Sequence, residues 1–171
     1  MRIRPETPAD VDAIRAVNRA AFGTLVEADL VDALRLEASP IVSLVADDGG
    51  VVIGHVMFSP VSVDASASDA STLMGLAPVA VLPERQRGGI GGALIREGLA
   101  ACHLRGVAAV VLVGMPEYYP RFGFVPASRF GLTCEYDVPD DVFMALELEA
   151  GALAGRRGLV RYHPAFARAG A

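Results

Sequence analysis

Apolar positions recur along this chain with two periods, near 3.6 in some stretches and near 2 in others, and their succession predicts a mixed α/β fold. Arg2-Ile3-Arg4 alternates like a short strand. Thr7-Pro8-Ala9-Asp10 then supplies an N-cap residue, a first-turn proline and an acidic third position, the start signals of a helix. Val11, Ile14, Val17 and Ala21 follow near helical spacing, with Asp12, Arg15 and Arg19 elsewhere around the cylinder. Beyond Gly23, Leu30, Val31 and Leu34 form the apolar face of a second helix. Residues 41–46 and 51–59 are β-rich and flank Asp47-Asp48-Gly49-Gly50, a sequence suited to a tight reversal between antiparallel strands.

The stretch 63–71 is small and polar and reads as a surface connection. Residues 73–82 are apolar again, and Pro78 within them cannot donate to a ladder, which predicts a bulge or an opened strand edge. Over residues 90–105 a helix can turn Ala93, Leu94, Leu99 and Cys102 to a core and Arg96, Glu97 and Arg105 to water. Residues 107–113 read as a buried strand, 116–122 as one or two helical turns, and 130–136 with 142–149 as a closing strand pair.

A chain of 171 residues suits one domain spanning residues 1–171, long enough to bury a core without disulfides or structural metal. The net charge of −5 and the lack of any Lys/Arg cluster argue against nucleic acid as a partner and suit a cationic substrate. Cys102 and Cys134 form no disulfide framework and fit a reducing compartment as small buried hydrophobes. His55, His103 and His163 have no carboxylate or cysteine beside them at ligand spacing, so no metal site is expected. The first residues lack the apolar stretch of a secretory signal and the apolar runs are too short to span a bilayer; a cytoplasmic protein without a membrane partner is expected.

The candidate chemistry begins at Gln86-Arg87-Gly88-Gly89-Ile90-Gly91-Gly92-Ala93-Leu94, four glycines between an apolar run and an amphipathic helix. Without side chains the backbone can turn tightly and approach a ligand, so successive N–H groups converge on an anion where the helix dipole also attracts it. The lysine of a Walker loop is absent, and a Rossmann fingerprint would follow the first strand of a βαβ unit. Downstream, Tyr118-Tyr119-Pro120-Arg121-Phe122-Gly123-Phe124 carries a Tyr-x-x-x-Gly-Phe element. In this order the two motifs resemble those of the GCN5-related N-acetyltransferases (GNAT), in the bacterial branch with a Tyr-Tyr-x-Arg-Phe-Gly-Phe signature, and the resemblance covers nearly the whole chain.

The resemblance implies a mixed, mostly antiparallel central sheet flanked by helices and splayed around an acetyl-CoA site. It assigns pyrophosphate binding to the backbone of Gln86, Arg87, Gly88, Gly89, Ile90, Gly91 and Gly92, and pantetheine binding to the main chain of Val79, Ala80 and Val81. Acetyl-CoA is then the cosubstrate, and a primary amine, on a small molecule or a protein, receives the acetyl group directly in a ternary complex. Tyr119, four residues before Gly123, matches the family position whose phenol protonates the departing thiolate. Homodimerisation is a tendency of the family.

The chain also departs from the family pattern. Residues 107–113 carry no acid, and no asparagine stands between them and Tyr119. The general base stays open among Glu84, Glu27, Glu117 and water-mediated deprotonation. Arg121 reads as the partner of a cofactor phosphate or, the commoner fate of an arginine in an aromatic cluster, of an internal carboxylate. A non-catalytic acyl-CoA sensor is the competing reading; a nucleotide-phosphate-binding protein is opposed by the missing Walker lysine.

Overall fold

A computed structural model describes residues 1–64 and 71–171, so residues 65–70 of the expected surface connection at 63–71 lie outside the described residues. In chain order the elements are β1 (Arg2–Pro5), α1 (Val11–Phe22), α2 (Val26–Glu37), β2 (Val42–Asp48), β3 (Val51–Val63), β4 (Leu73–Val81), α3 (Ile90–Leu104), β5 (Ala109–Val113), β6 (Val125–Pro126), β7 (Leu132–Cys134), β8 (Phe143–Glu147), β9 (Gly158–Arg161) and α4 (Pro164–Ala169). The residues gather into two compact units, one of Met1–Ser59, Leu76–Ala101 and His163–Ala171, the other of Pro60–Gly75 and Cys102–Tyr162. β3, β4 and α3 each run from one unit into the other.

In the first unit the helical faces read from spacing are buried: Ile14 and Val17 on α1, and Leu30, Val31 and Leu34 on α2. The Thr7 N–H donates to the Asp10 carboxylate at 2.7 Å, so the start signal is used, though Pro8–Asp10 forms a 3-10 turn before α1 begins. β1 pairs antiparallel with β2 (Arg2↔Asp47 to Pro5↔Leu44), and β2 antiparallel with β3 (Val42↔Phe58 to Asp48↔Val51). The reversal is the two glycines Gly49 and Gly50, at φ 65 and 91, where both residues of a tight hairpin turn need positive φ.

Two further glycines set how α3 lies in this unit. A β-carbon on Gly54 of β3 would come 2.9 Å from Leu94 Cδ1 and 3.2 Å from the Ala80 carbonyl oxygen, and one on Gly98 of α3 would come 2.3 Å from Phe58 Cε2. The helix carrying the glycine-rich start is thus seated by close approach to β3. Polar groups tie the same unit together across its elements. Arg4 donates to Asp10 at 2.7 Å and to Asp47 at 2.9 Å, while Arg35 on α2 donates to Glu6 at 2.6 Å and to Asp32 at 2.7 Å. His55 on β3 is fully buried between Asn18 (3.2 Å) and Ser43 (2.9 Å), and the Ser43 hydroxyl donates to Glu6.

In the second unit β4 and β5 pair in parallel over Leu73↔Ala109 to Gly75↔Val111, and Pro78 lies beyond these pairs. β8 pairs antiparallel with β5 and with β6. The expected closing pair of residues 130–136 with 142–149 does not form. β7 instead pairs in parallel with β9 (Leu132↔Gly158 to Cys134↔Val160), and β9 pairs antiparallel with the end of β3. The reason is steric as well as topological: at φ 135, with the Asp64 carbonyl oxygen 2.1 Å from where a β-carbon would stand, Gly158 lets β9 approach β3 as no other residue could. Antiparallel pairings outnumber the two parallel ones among the described residues, so the class is mixed α/β with a mostly antiparallel sheet, as expected.

Candidate active site

The glycine loop leaves β4 at Val81. Val79 is half-buried, and Ala80 and Val81 are buried. The Leu82 N–H is bonded to the Ile53 carbonyl at 3.0 Å, and the chain then turns through Pro83–Arg85. Gln86 closes this excursion, its Nε2 donating to the Val81 carbonyl at 3.0 Å and fastening the loop to the strand end. That bond occupies one of the main-chain groups expected to face the pantetheine arm.

From there the backbone enters the left-handed region twice, at Arg87 (φ 63) and Gly89 (φ 83). Left-handed residues spaced this way turn neighbouring N–H groups toward one side, the geometry of an anion-binding nest. The Ala93 N–H bonds to the Gly89 carbonyl at 3.0 Å. The N–H groups of Ile90, Gly91 and Gly92 therefore precede the first intrahelical bond and have no acceptor within the helix. They head the 15-residue α3, whose dipole adds positive potential at this end. A β-carbon at Gly89 would meet nothing within 4 Å, so the loop faces open space. Arg85 beside it is paired with Asp48 at 2.5 Å, and this hydrogen bond holds the Asp48 carboxyl below its ordinary range.

Tyr119 belongs to the second unit, at the start of a 3-10 turn, Tyr119–Phe122, that covers only the end of the expected helical stretch. Gly123 ends the turn at φ 97 and Phe124 returns to the core, as the motif implied. The Tyr119 ring is held edge-on by Tyr118 (centroids 5.1 Å apart) and Phe124 (6.1 Å). Phe122 lies against it as well (6.3 Å), and so does Gly114, where a β-carbon would come 2.3 Å from Tyr119 Cε2. Burial, and secondarily Tyr118, push the phenol up to about 12, so it is protonated at neutral pH and can serve there as a proton donor but not as a base.

Residues 2–127 match the family described as acetyltransferase (GNAT) domain. The chain belongs to the GNAT acetyltransferases. It is 42% identical over 170 residues to the uncharacterized N-acetyltransferase YhbS of Escherichia coli (strain K12), across 98% of this chain and 99% of that one. The crystal structure of YhbS from Escherichia coli in complex with CoA superposes on this acetyltransferase with a TM-score of 0.90 at 39% identity, covering 98% of this chain and 92% of that chain. A GNAT acetyltransferase from Brucella melitensis in complex with acetyl-CoA gives 0.78 at 40% identity, over 96% and 97% of the two chains.

None of the three candidate acids of the acetyltransferase is buried. Glu84 and Glu117 are exposed, and Glu27 accepts from Thr24 at 3.1 Å. Among the described residues Arg121 pairs with no carboxylate: its Nε donates to the Tyr118 carbonyl at 2.8 Å and its guanidinium lies 4.5 Å from the centre of the Tyr118 ring. No three metal-ligating side chains group together among the described residues. Nor is any described helix long and apolar enough to cross a membrane. Sequence reasoning passed over Gly114 and the Gln86 side chain. The first could have been suspected from a glycine directly after a buried strand and close before an aromatic pair.

Proposed function

We propose that this GNAT chain transfers an acetyl group from acetyl-CoA directly to a primary amine, acting as one domain in the cytoplasm. The observation that carries the reading is the loop at 86–92, with left-handed residues at 87 and 89 and three open N–H groups heading α3. Gln86, Arg87, Gly88, Gly89, Ile90, Gly91 and Gly92 bind the pyrophosphate through their backbone, and Val79, Ala80 and Val81 present the strand to the pantetheine arm. The likeness to relatives solved with CoA and acetyl-CoA supports the choice of cosubstrate.

In the reaction the neutral amine attacks the thioester carbonyl, the N–C bond forms and the C–S bond breaks. The nitrogen loses a proton to water, and the thiolate takes one from Tyr119, which solvent then reprotonates. Tyr119 keeps its proton throughout the neutral range, so the proton to be donated is present. β5 carries no acid, so deprotonation of the amine by water fits better than a strand carboxylate.

The test is release of CoA thiol from acetyl-CoA across a panel of amines, with acetyl-CoA binding measured alongside. Amine-dependent release is expected. Binding without release from any amine would favour the acyl-CoA sensor, and absence of binding would overturn both readings.

A further inference from the structure

The chain is tethered in three places where it leaves β4, and the tethers do not pull the same way. The Leu82 N–H donates to the Ile53 carbonyl on β3 at 3.0 Å, and Arg85 pairs with Asp48 at the end of β2 at 2.5 Å. Both tie the loop to the β2–β3 hairpin. The third tether is the Gln86 side chain, whose Nε2 donates to the Val81 carbonyl at 3.0 Å. All of these residues lie in the first unit.

Strand geometry tells which edge of β4 the third tether occupies. In an extended strand the N–H and C=O of one residue point to the same side, and those of the next residue to the other. Since Leu82 bonds to β3, Ala80 faces β3 as well, and its carbonyl oxygen lies 3.2 Å from where a β-carbon on Gly54 of β3 would stand. Val79 and Val81 therefore turn their main-chain groups to the opposite edge. On that edge the pairing with β5 stops at Gly75. The Val81 carbonyl is the group on it nearest the loop, and Gln86 takes it. The Val79 N–H and carbonyl and the Val81 N–H are left to the edge.

The bond thus joins two places that a long ligand would use at once. At one end Gln86 opens the nest built on Arg87 and Gly89; at the other it caps the strand edge. Gln86 is exposed, so this hydrogen bond and not burial holds its side chain against the strand. A ligand bound at both places gains from both only where their separation is fixed beforehand. We infer that Gln86 is a positioning residue that couples the two halves of the cofactor site: its side chain sets the separation of nest and strand edge, so that a pyrophosphate held in the nest delivers the pantetheine arm to Val79 and Val81 in one register. The inference rests on the acetyl-CoA reading of the loop.

The experiment measures, by calorimetry on the full chain, the affinities of CoA and of 3′-phospho-ADP, which is CoA without its pantetheine arm, for wild type, Gln86→Leu and Gln86→Arg, with kcat for acetyl transfer alongside. Leucine keeps much of the bulk and removes the donor, whereas arginine brings N–H donors back at similar reach. Wild type is expected to bind CoA about tenfold or more tightly than the arm-less nucleotide. In Gln86→Leu the CoA affinity falls about tenfold while that of the arm-less nucleotide stays within about a factor of two. The kcat of that variant falls by about tenfold or more, because the thioester is no longer held in one place, and Gln86→Arg restores the ratio between the two ligands. A merely structural role would weaken both ligands alike, since both use the nest. Equal losses for the two ligands, an unchanged CoA affinity in Gln86→Leu, or equal binding of the two ligands by wild type would each overturn the proposal. Failure of either ligand to bind wild type at all would overturn it together with the cofactor reading. The expected affinities without release of CoA thiol to any amine would leave the coupling standing and remove the acetyltransferase reading.

Discussion

The ring of Tyr119 rests on the bare α-carbon of Gly114, so close that a β-carbon there would stand 2.3 Å from Cε2 and 2.9 Å from Cδ2. Neither atom is the far end of a flexible chain; both belong to a rigid ring already held by Tyr118 and Phe124. Gly114 is therefore a positioning residue for the proposed acid. Gly114→Ala should displace the phenol by a fraction of an ångström to an ångström and lower kcat by roughly 10- to 100-fold, with affinity for acetyl-CoA nearly unchanged. Tyr119→Phe should lower kcat by about 100-fold or more. If the two act through one group, the double variant will be little worse than Tyr119→Phe alone, and steady-state kinetics of the three variants decide it.

At Gly89 the argument is conformational and not steric. Its φ is 83 and nothing stands within 4 Å of an added β-carbon, so a substitution there is opposed by the backbone alone. A β-branched residue resists the left-handed region by about 1–2 kcal/mol, which the loop can relieve only by turning its N–H groups away from the anion. Gly89→Val should weaken CoA binding by about tenfold or more, while Gly89→Asn, a residue that tolerates this conformation, should retain most of it. Equal losses in the two variants, measured by calorimetry with CoA, would remove the conformational account.

What could be read beforehand follows the range of the interaction. The faces of α1 and α2, the Gly49-Gly50 reversal and the glycine loop are written in residues a few positions apart, and spacing is enough to find them. β9 and the pairing of β7 with it were missed because the partners Leu132 and Gly158 meet only through the tertiary fold, and Gly158 looks like any other loop glycine until the Asp64 carbonyl is placed against it. The same holds at Arg121, whose acceptor is a main-chain carbonyl three residues away and not the internal carboxylate expected of an arginine beside an aromatic cluster. The seat under Tyr119 likewise exists only once the loops are folded.

Gly98 sets two effects against each other. In an isolated helix Gly→Ala would stabilise by about 1 kcal/mol. In α3 an added β-carbon would come 2.3 Å from Cε2 and 2.7 Å from Cζ of the fully buried Phe58, and a ring in a packed core cannot give that much ground. Overpacking costs of about 1–3 kcal/mol should win. Gly98→Ala should therefore lower the midpoint of urea unfolding, and Gly98→Ala with Phe58→Leu, which vacates the contact, should recover part of the loss. A rise in the midpoint of the single variant would mean that α3 can shift along β3 at little cost.

His55 makes stability depend on pH in a window whose position can be derived. The Asn18 amide donates to the Ile14 carbonyl at 3.0 Å, which orients its Nδ2 and makes Nδ1 of His55 an acceptor at 3.2 Å. Nε2 then carries the proton and donates to Ser43 Oγ at 2.9 Å, whose hydroxyl donates to Glu6. The ring is neutral in this arrangement. Burial pushes its pKa from 6.5 down to about 4, with Glu6 opposing and Arg35 adding to the shift. Since the folded pKa is below the unfolded one, the unfolded chain binds more protons below pH 6.5. The stability contributed by neutral His55 is thus complete above 6.5 and is lost as pH falls from there toward 4, by on the order of 3 kcal/mol in all. For Glu6, burial raises the pKa but the hydrogen bonds from Arg35 and Ser43 outweigh it, so that carboxylate adds its own loss only at lower pH. Urea unfolding between pH 4 and 7 should show this slope in wild type and a flatter one in His55→Gln, which keeps a hydrogen-bonding side chain but has nothing to titrate. Parallel profiles for the two proteins would assign the acid limb to other groups.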